Sequence, residues 1–205
     1  MVLNKIYKYV AYAMLLAGIA LVGCADPEED LNAEQIEDIE SYLTSSHSPT
    51  LIDEQDIDTF INPTPEFYST FGNKAFRYIL DYYNADRELQ SLISAGDRIS
   101  LTLSIYEFEA YTSSTTTQGL LYSNDPDYKD IVIEYGLNAS YWTFEPKEIV
   151  VGSGDIIKGV DAALVGCRLG DSVEFYVSCD EGYGDKEIGV TGVETALVFI
   201  CKIEI

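Results

Sequence analysis

Few side chains in this 205-residue sequence can move a proton, attack a bond or hold a metal. The single histidine is His47, and no two of the four cysteines form a Cys-x-x-Cys pair. Structural zinc sites and dithiol redox motifs need clustered Cys and His, so no metal and no cofactor is expected. What the sequence offers instead is a tyrosine between glycines, Gly182-Tyr183-Gly184, an aliphatic pair, Ile156-Ile157, and an aromatic in an apolar run, Phe199. A phenol donates a hydrogen bond, and aliphatic side chains exclude water. Such a set suits binding and desolvation rather than acid–base chemistry. Phe199 and the two isoleucines would be buried in any sheet core. Tyr183 is different, because packing rarely demands a tyrosine in a glycine-flanked loop.

The elements that must position these residues follow from hydrophobic periodicity. Ile99, Leu101, Leu103 and Ile105 alternate with Ser100, Thr102, Ser104 and Tyr106, a half-buried strand after the turn Ala95-Gly96-Asp97. Phe76–Tyr83, Glu148–Gly152, Asp171–Ser178 and Thr195–Ile205 read as further strands, and in the last Leu197, Phe199, Cys201 and Ile203 share a face. Ile156–Leu164 is predicted as a short helix stopped at Gly166. Residues 111–119 form a polar loop. Residues 124–146 are poorly patterned, although Ile131-Val132-Ile133 suggests a short strand. Gly159 lies in the helix that must approach the sheet, so a side chain there should be more damaging than one at Gly119, which ends the polar loop. One short helix among five or more strands predicts an α+β domain, an antiparallel sheet curled around the helix.

Upstream, Ile36, Ile39 and Leu43 make a helical stripe, predicting a helix over 33–44. Asn32 with Gln35 three residues on approximates a capping box. Residues 45–72 read as a linker with one short helix near 53–61.

Lys5 and Lys8 precede an uncharged stretch, Val10 to Val22, too short for a spanning helix of about 20 apolar residues but of signal-segment length. Its end, Leu21-Val22-Gly23-Cys24, resembles the lipobox of bacterial lipoproteins. That resemblance implies cleavage before Cys24, lipidation of its thiol, and anchoring to the bacterial cell envelope, either periplasmic or surface-exposed at the outer membrane. Asp26-Pro27-Glu28-Glu29-Asp30 resembles a surface-export signal of Bacteroidetes lipoproteins. The expected organisation is a signal peptide over 1–23, a tether with a short helical segment over 24–74, and the sheet domain over 75–205. With Cys24 used, Cys167, Cys179 and Cys201 leave at least one free thiol.

Beyond residue 23 there remain ten basic residues against all 35 acidic ones, a net charge of −25. This charge repels nucleic-acid phosphate, so no nucleic-acid partner is expected.

The run Val151-Gly-Ser-Gly-Asp-Ile-Ile-Lys-Gly-Val-Asp-Ala-Ala-Leu, ending at Leu164, resembles the FKBP family of peptidyl-prolyl cis-trans isomerases. So do Gly182-Tyr183-Gly184, which parallels the family's Ala-Tyr-Gly, and Thr195-Ala-Leu-Val-Phe199, which parallels Ala-Thr-Leu-Val-Phe. The order and spacing match from 75 to the end. The resemblance implies the FKBP-like fold and an isomerase that assists the folding of exported proteins, with proline-containing polypeptides as partners. It implies Tyr183, Ile157 (through its N–H) and Phe199 as the catalytic set. Ile156, Val160, Leu103, Leu121 and Tyr122 are the implied substrate pocket. The chain departs from the family at Val160, where tryptophan is usual, at Leu103, where tyrosine is usual, and at Leu121-Tyr122, where Phe-Asp is usual. Lys147 stands near a usual phenylalanine. These departures lead to weak activity as the expectation, with a degenerate peptide-binding or structural lipoprotein as the alternative.

Overall fold

The computed structural model of the chain describes residues 27–137, 140, 142–186 and 192–204. Residues 1–26, on which the expected signal segment and Cys24 fall, lie outside the described residues. Residues 34–205 form one compact unit. The described part of the preceding unit, residues 27–33, is the helical start of α1 (Pro27–Ser45). That helix begins before the predicted 33–44. Pro27 suits the first helical position, where its missing N–H costs nothing, and no glycine interrupts the helix. Asn32 therefore lies inside the helix, not at its cap.

Eight strands build the sheet: β1 (Ile52–Asp53), β2 (Phe67–Phe71), β3 (Ala75–Ile79), β4 (Arg98–Glu107), β5 (Leu120–Ser123), β6 (Lys147–Val150), β7 (Ser172–Val177) and β8 (Leu197–Ile203). Their order is β1-β2-β3-β7-β8-β4-β5, with β6 pairing the other end of β4. All pairings are antiparallel except the short β1–β2 edge. The expected α+β class, a curled antiparallel sheet around one short helix, is what the chain adopts. The short helix expected near 53–61 is a 3-10 helix over Glu54–Thr59, but the rest of the 45–72 linker also carries β1 and β2, so the sheet begins upstream of residue 75.

Two further helices are short: α2 (Tyr128–Glu134) and α3 (Lys158–Leu164). The strand suggested at Ile131–Ile133 is corrected: those residues lie in α2, with Val132 buried and Ile133 67% exposed. A three-residue apolar run cannot separate helix from strand by periodicity. α3 ends at the extended Val165, before Gly166 at φ +89. The Arg77 Nη1 donates to the Ala163 and Val165 carbonyls, both at 2.8 Å, satisfying the helix C-terminus.

Both sheet faces are buried. On one, Leu101, Leu103 and Ile105 of β4, Phe175 of β7 and Leu197, Phe199, Cys201 and Ile203 of β8 pack with Val160 and Leu164 of α3. On the other, Phe76, Tyr176 and Val198 pack with Ile39 and Leu43 of α1 and with Val132 and Trp142. The alternation read from the sequence for β4 and β8 therefore holds, and α1 covers a sheet face rather than acting as an appendage. Cys167, Cys179 and Cys201 are all buried free thiols.

Gly119 is more constrained than a loop end. It sits at φ +72, and a Cβ there would meet the Ala110 carbonyl carbon and the Glu107 carbonyl oxygen at 3.1 Å. Gly159 is close-packed as expected, since its Cβ would lie 2.9 Å from Val177 Cγ1 and from Glu181 Cβ.

Candidate functional site

Five elements converge on the inner face of the sheet. β4 places Leu103, β8 places Phe199, and β5 brings Leu121 and Tyr122. The approach to α3 places Ile156 and Ile157, and its first turns place Val160. The segment after β7 delivers Tyr183 through a 3-10 turn, Cys179–Glu181. All eight sequence-predicted site residues join one apolar cluster. Leu103, Val160 and Phe199 are buried within it, while Leu121, Tyr122, Ile156, Ile157 and Tyr183 are half-buried against it. The buried three make a floor and the half-buried five a rim.

Strand register explains the meeting. Tyr122 pairs with Ile105, Ile105 with Phe199, and Phe199 with Phe175, so one row crosses β5, β4, β8 and β7. Directly opposed residues share a face and touch. Ile105 thus stands in the row beside Phe199, and the sequence reading did not single it out. The signal was present, because Ile105 continues the alternation that marks Leu103. Tyr122 also leaves the row's plane: its ring meets Trp142 edge to face at 5.8 Å between centroids. A register shift at Ile105/Tyr106 bends β5 there. The segment 124–146, unpatterned in sequence, therefore delivers an aromatic to the back of a rim residue.

Two polar groups belong to residues packed against this apolar cluster. The Ile157 N–H has no hydrogen-bond partner among the described residues, while its carbonyl accepts the Asp161 N–H at 2.9 Å. The Tyr183 hydroxyl likewise has no partner among the described residues. Burial holds the Tyr183 phenol above its ordinary pKa, and the neighbouring Tyr122 adds to this. The hydroxyl is therefore a neutral donor throughout the ordinary pH range. Two buried thiols, Cys167 and Cys201, belong to the cluster, and burial pushes both up, that of Cys167 to about 11.

The turn that leads into α3 is held from inside the helix. The buried Asp161 carboxylate accepts the Gly152 N–H at 2.7 Å and the Gly154 N–H at 3.0 Å. Gly152 and Gly154 both have φ near +83, a conformation suited to glycine. Asp161 was not singled out from sequence, since nothing in its type distinguishes it from the solvated acids. Gln35, read as part of a capping box, is also reassigned. Its side chain accepts the Cys179 N–H at 2.8 Å and donates to the Glu194 carbonyl at 2.7 Å.

Such an arrangement can do one kind of work well. It offers half-buried apolar side chains over the buried layer of Phe199, Val160 and Leu103, beside a phenol and a backbone N–H that can donate to carbonyls. Rotation about an X-Pro amide must break a resonance worth a barrier of roughly 18–20 kcal/mol. The twisted amide is less polar than the planar one. A dehydrated site that favours it lowers the barrier with no nucleophile or acid–base pair.

Parts of the chain are similar to known proteins. Residues 136–204 match the profile of a family described as FKBP-type peptidyl-prolyl cis-trans isomerase. A curated relative, FK506-binding protein 1A of Neurospora crassa, is 30% identical over 77 residues, which is 37% of this chain and 64% of that protein. A solved structure of the three FKBP domains of wheat FKBP73 aligns with a TM-score of 0.49 at 10% identity, covering 68% of this chain and 49% of that one. The chain thus spans less than two thirds of either relative's length.

Proposed function

We propose that this chain, whose residues 136–204 match the FKBP-type peptidyl-prolyl cis-trans isomerase family, is a member of that family and catalyses the rotation of X-Pro bonds in polypeptides. The observation that carries this reading is the pairing of two donors without partners among the described residues, the Tyr183 hydroxyl and the Ile157 N–H, with a buried floor of Leu103, Val160 and Phe199 in one cluster. The prolyl ring sits on that floor, walled by Ile156, Leu121 and Tyr122. The Ile157 N–H holds one substrate carbonyl and Tyr183 another. As the amide twists, its lost polarity costs less here than in water.

The floor is narrower in aromatic area than in the family, since Val160 and Leu103 replace a tryptophan and a tyrosine. Turnover is accordingly weak. A second reading, peptide holding without turnover, is favoured by Tyr122, which puts a phenol where the family has an aspartate. The two separate in a single experiment, isomerisation of a short proline peptide by the purified chain. Acceleration over the uncatalysed rate that scales with protein concentration supports the enzyme. Binding without acceleration supports the holding module.

The clients are exported polypeptides, and Cys24 anchors the chain to the bacterial envelope through lipid. Support for this part comes from the sequence alone: the basic start, the short apolar stretch and the small residues before Cys24.

A further inference from the structure

Tyr183 lies on the inner side of the sheet, yet its segment is fastened from the other side. Gln35 belongs to α1, whose Ile39 and Leu43 pack into the opposite cluster. Its side chain is 9% exposed and uses both ends of its amide. Oε1 accepts the Cys179 N–H at 2.8 Å, and Nε2 donates to the Glu194 carbonyl at 2.7 Å. Cys179 lies two residues after the β7 end at Val177, and Glu194 lies shortly before β8.

The same two residues are tied to the neighbour of Tyr183. The Gly184 N–H donates to the Cys179 carbonyl at 2.9 Å, and the Glu194 N–H donates to the Gly184 carbonyl at 2.8 Å. The bonds close a ring: Gln35 to Cys179, Cys179 to Gly184, Gly184 to Glu194, and Glu194 back to Gln35. Gly184 takes φ +62 and Glu194 φ +53. The left-handed conformation costs a glutamate energy that only surrounding constraints hold in place. Its N–H and carbonyl are each bonded within the ring, and these bonds are that constraint.

We infer that Gln35 is a positioning residue for Tyr183: its amide, reaching from α1, locks Cys179 and Glu194 and so aims the phenol at the inner face. The inference rests on the proposed isomerase or peptide-binding site. Only an amide satisfies both ends, because the site needs an acceptor for an N–H and a donor for a carbonyl at once. A glutamate supplies two acceptors and faces the Glu194 carbonyl with a lone pair. A leucine leaves both backbone groups without their partner.

The test compares four full-length variants with wild type: Gln35→Leu, Gln35→Glu, Ile39→Val, and Gln35→Leu combined with Tyr183→Phe. Ile39→Val trims the same helix without touching the ring, and controls for general loss of stability. Proline-peptide turnover and affinity are read first. Gln35→Leu is expected to lower kcat/KM at least fivefold, Gln35→Glu by a lesser factor, and Ile39→Val not at all. In the Tyr183→Phe background the Gln35→Leu loss should shrink to under twofold, because the residue acts through that hydroxyl. An undiminished loss in that background, or an equal loss in Ile39→Val, overturns the inference. Amide hydrogen exchange at Cys179, Gly184 and Glu194 is read in parallel and does not depend on activity. Faster exchange at all three in Gln35→Leu, unmatched by Ile39→Val, is expected. Unchanged exchange overturns the inference whatever the turnover. A wild type with no turnover and no peptide affinity defeats the proposed site instead, and the exchange data still decide whether Gln35 holds the ring.

Discussion

The buried Asp161 carboxylate accepts the Gly152 N–H at 2.7 Å, and so fastens helix α3 to the turn that delivers Ile156 and Ile157. A second bond, from the Gly154 N–H at 3.0 Å, makes the clamp two-sided. Both bonds are charge-assisted, a class worth about 1.5–3 kcal/mol each. An asparagine retains one acceptor but turns an amide nitrogen toward the other N–H. Asp161→Asn is therefore expected to lose about 1.5–3 kcal/mol in urea unfolding and to weaken peptide affinity as well. An Asp161→Asn protein as stable as wild type would show that the turn holds without the clamp.

Two glycines are demanding for different reasons. At Gly159 a Cβ meets Val177 and Glu181 at 2.9 Å, and the overpacking costs about 1–3 kcal/mol. At Gly119 a Cβ meets backbone, and φ +72 disfavours any side chain. Gly119→Ala and Gly159→Ala are both expected to melt below wild type, with Gly119→Ala the lower because backbone atoms yield less than side chains. Thermal melts of the two proteins check the order. The reverse order would mean that the 111–119 loop gives way.

The pattern of success from sequence follows these contacts. Alternation in β4 and β8 is a local signal, and it placed Leu103, Ile105 and Phe199 on one face correctly. The Ile156-Ile157 pair came from the resemblance of 151–164 rather than from periodicity, and it precedes α3 instead of opening it. Gln35 and Asp161 were not legible, because their partners Cys179, Glu194, Gly152 and Gly154 are set by tertiary packing. β2 was hidden in a stretch framed by Pro63, Pro65 and Gly72, whose composition reads as linker. It is a strand because β3 gives it a ladder through Ser69–Arg77 and Phe71–Ala75. Gly119 was misjudged because its crowding comes from Glu107 and Ala110, which nothing in its neighbourhood of sequence announces.

His47 gives the α1 end a pH dependence. It is buried among Tyr42, Tyr78 and Tyr176, with Nε2 3.0 Å from Glu174 and Nδ1 2.6 Å from the Pro49 carbonyl. Burial opposes the charged ring, but the Glu174 carboxylate and the Pro49 carbonyl outweigh it, and the His47 pKa lies above its ordinary 6.5. A raised folded pKa means stability that is fully present below the unfolded value and is lost as pH rises through the folded one. Wild type is expected to lose stability from about pH 6 upward, beyond any loss in His47→Gln. Urea midpoints of both proteins at several pH values measure the difference. Parallel curves would mean that His47 is not charged in the fold.

The proposed anchor has a simple test. Two acyl chains suffice for stable membrane attachment, and both would depend on the Cys24 thiol. Cys24→Ser is expected to move the chain from the membrane to the soluble fraction of a bacterial lysate. Equal retention of mutant and wild type would remove Cys24 as the anchor.

The site itself is tested most directly at the Tyr183 hydroxyl. Its ring packs against the cluster of Phe199 and Val160, and Tyr183→Phe leaves that packing in place. The hydroxyl has no bond to lose among the described residues, so folding stability should be nearly unchanged. Bound peptide supplies the missing acceptor, and one hydrogen bond is worth about 0.5–1.5 kcal/mol net. Peptide affinity should accordingly fall by about two- to twelvefold, each 1.4 kcal/mol being tenfold. Trp142 is the only tryptophan and its ring touches that of Tyr122 on the rim, so its emission can follow the titration. Burial and Tyr122 hold the Tyr183 phenol above 10, so the advantage of wild type over Tyr183→Phe should stay flat between pH 6 and 9. If the hydroxyl holds the twisted amide better than the planar one, turnover falls more than affinity, because the interaction is then made chiefly in the transition state. An equal fall in both marks uniform binding and favours the holding module. No change in either means that Tyr183 only packs, and the proposed site fails at its one residue chosen for chemistry.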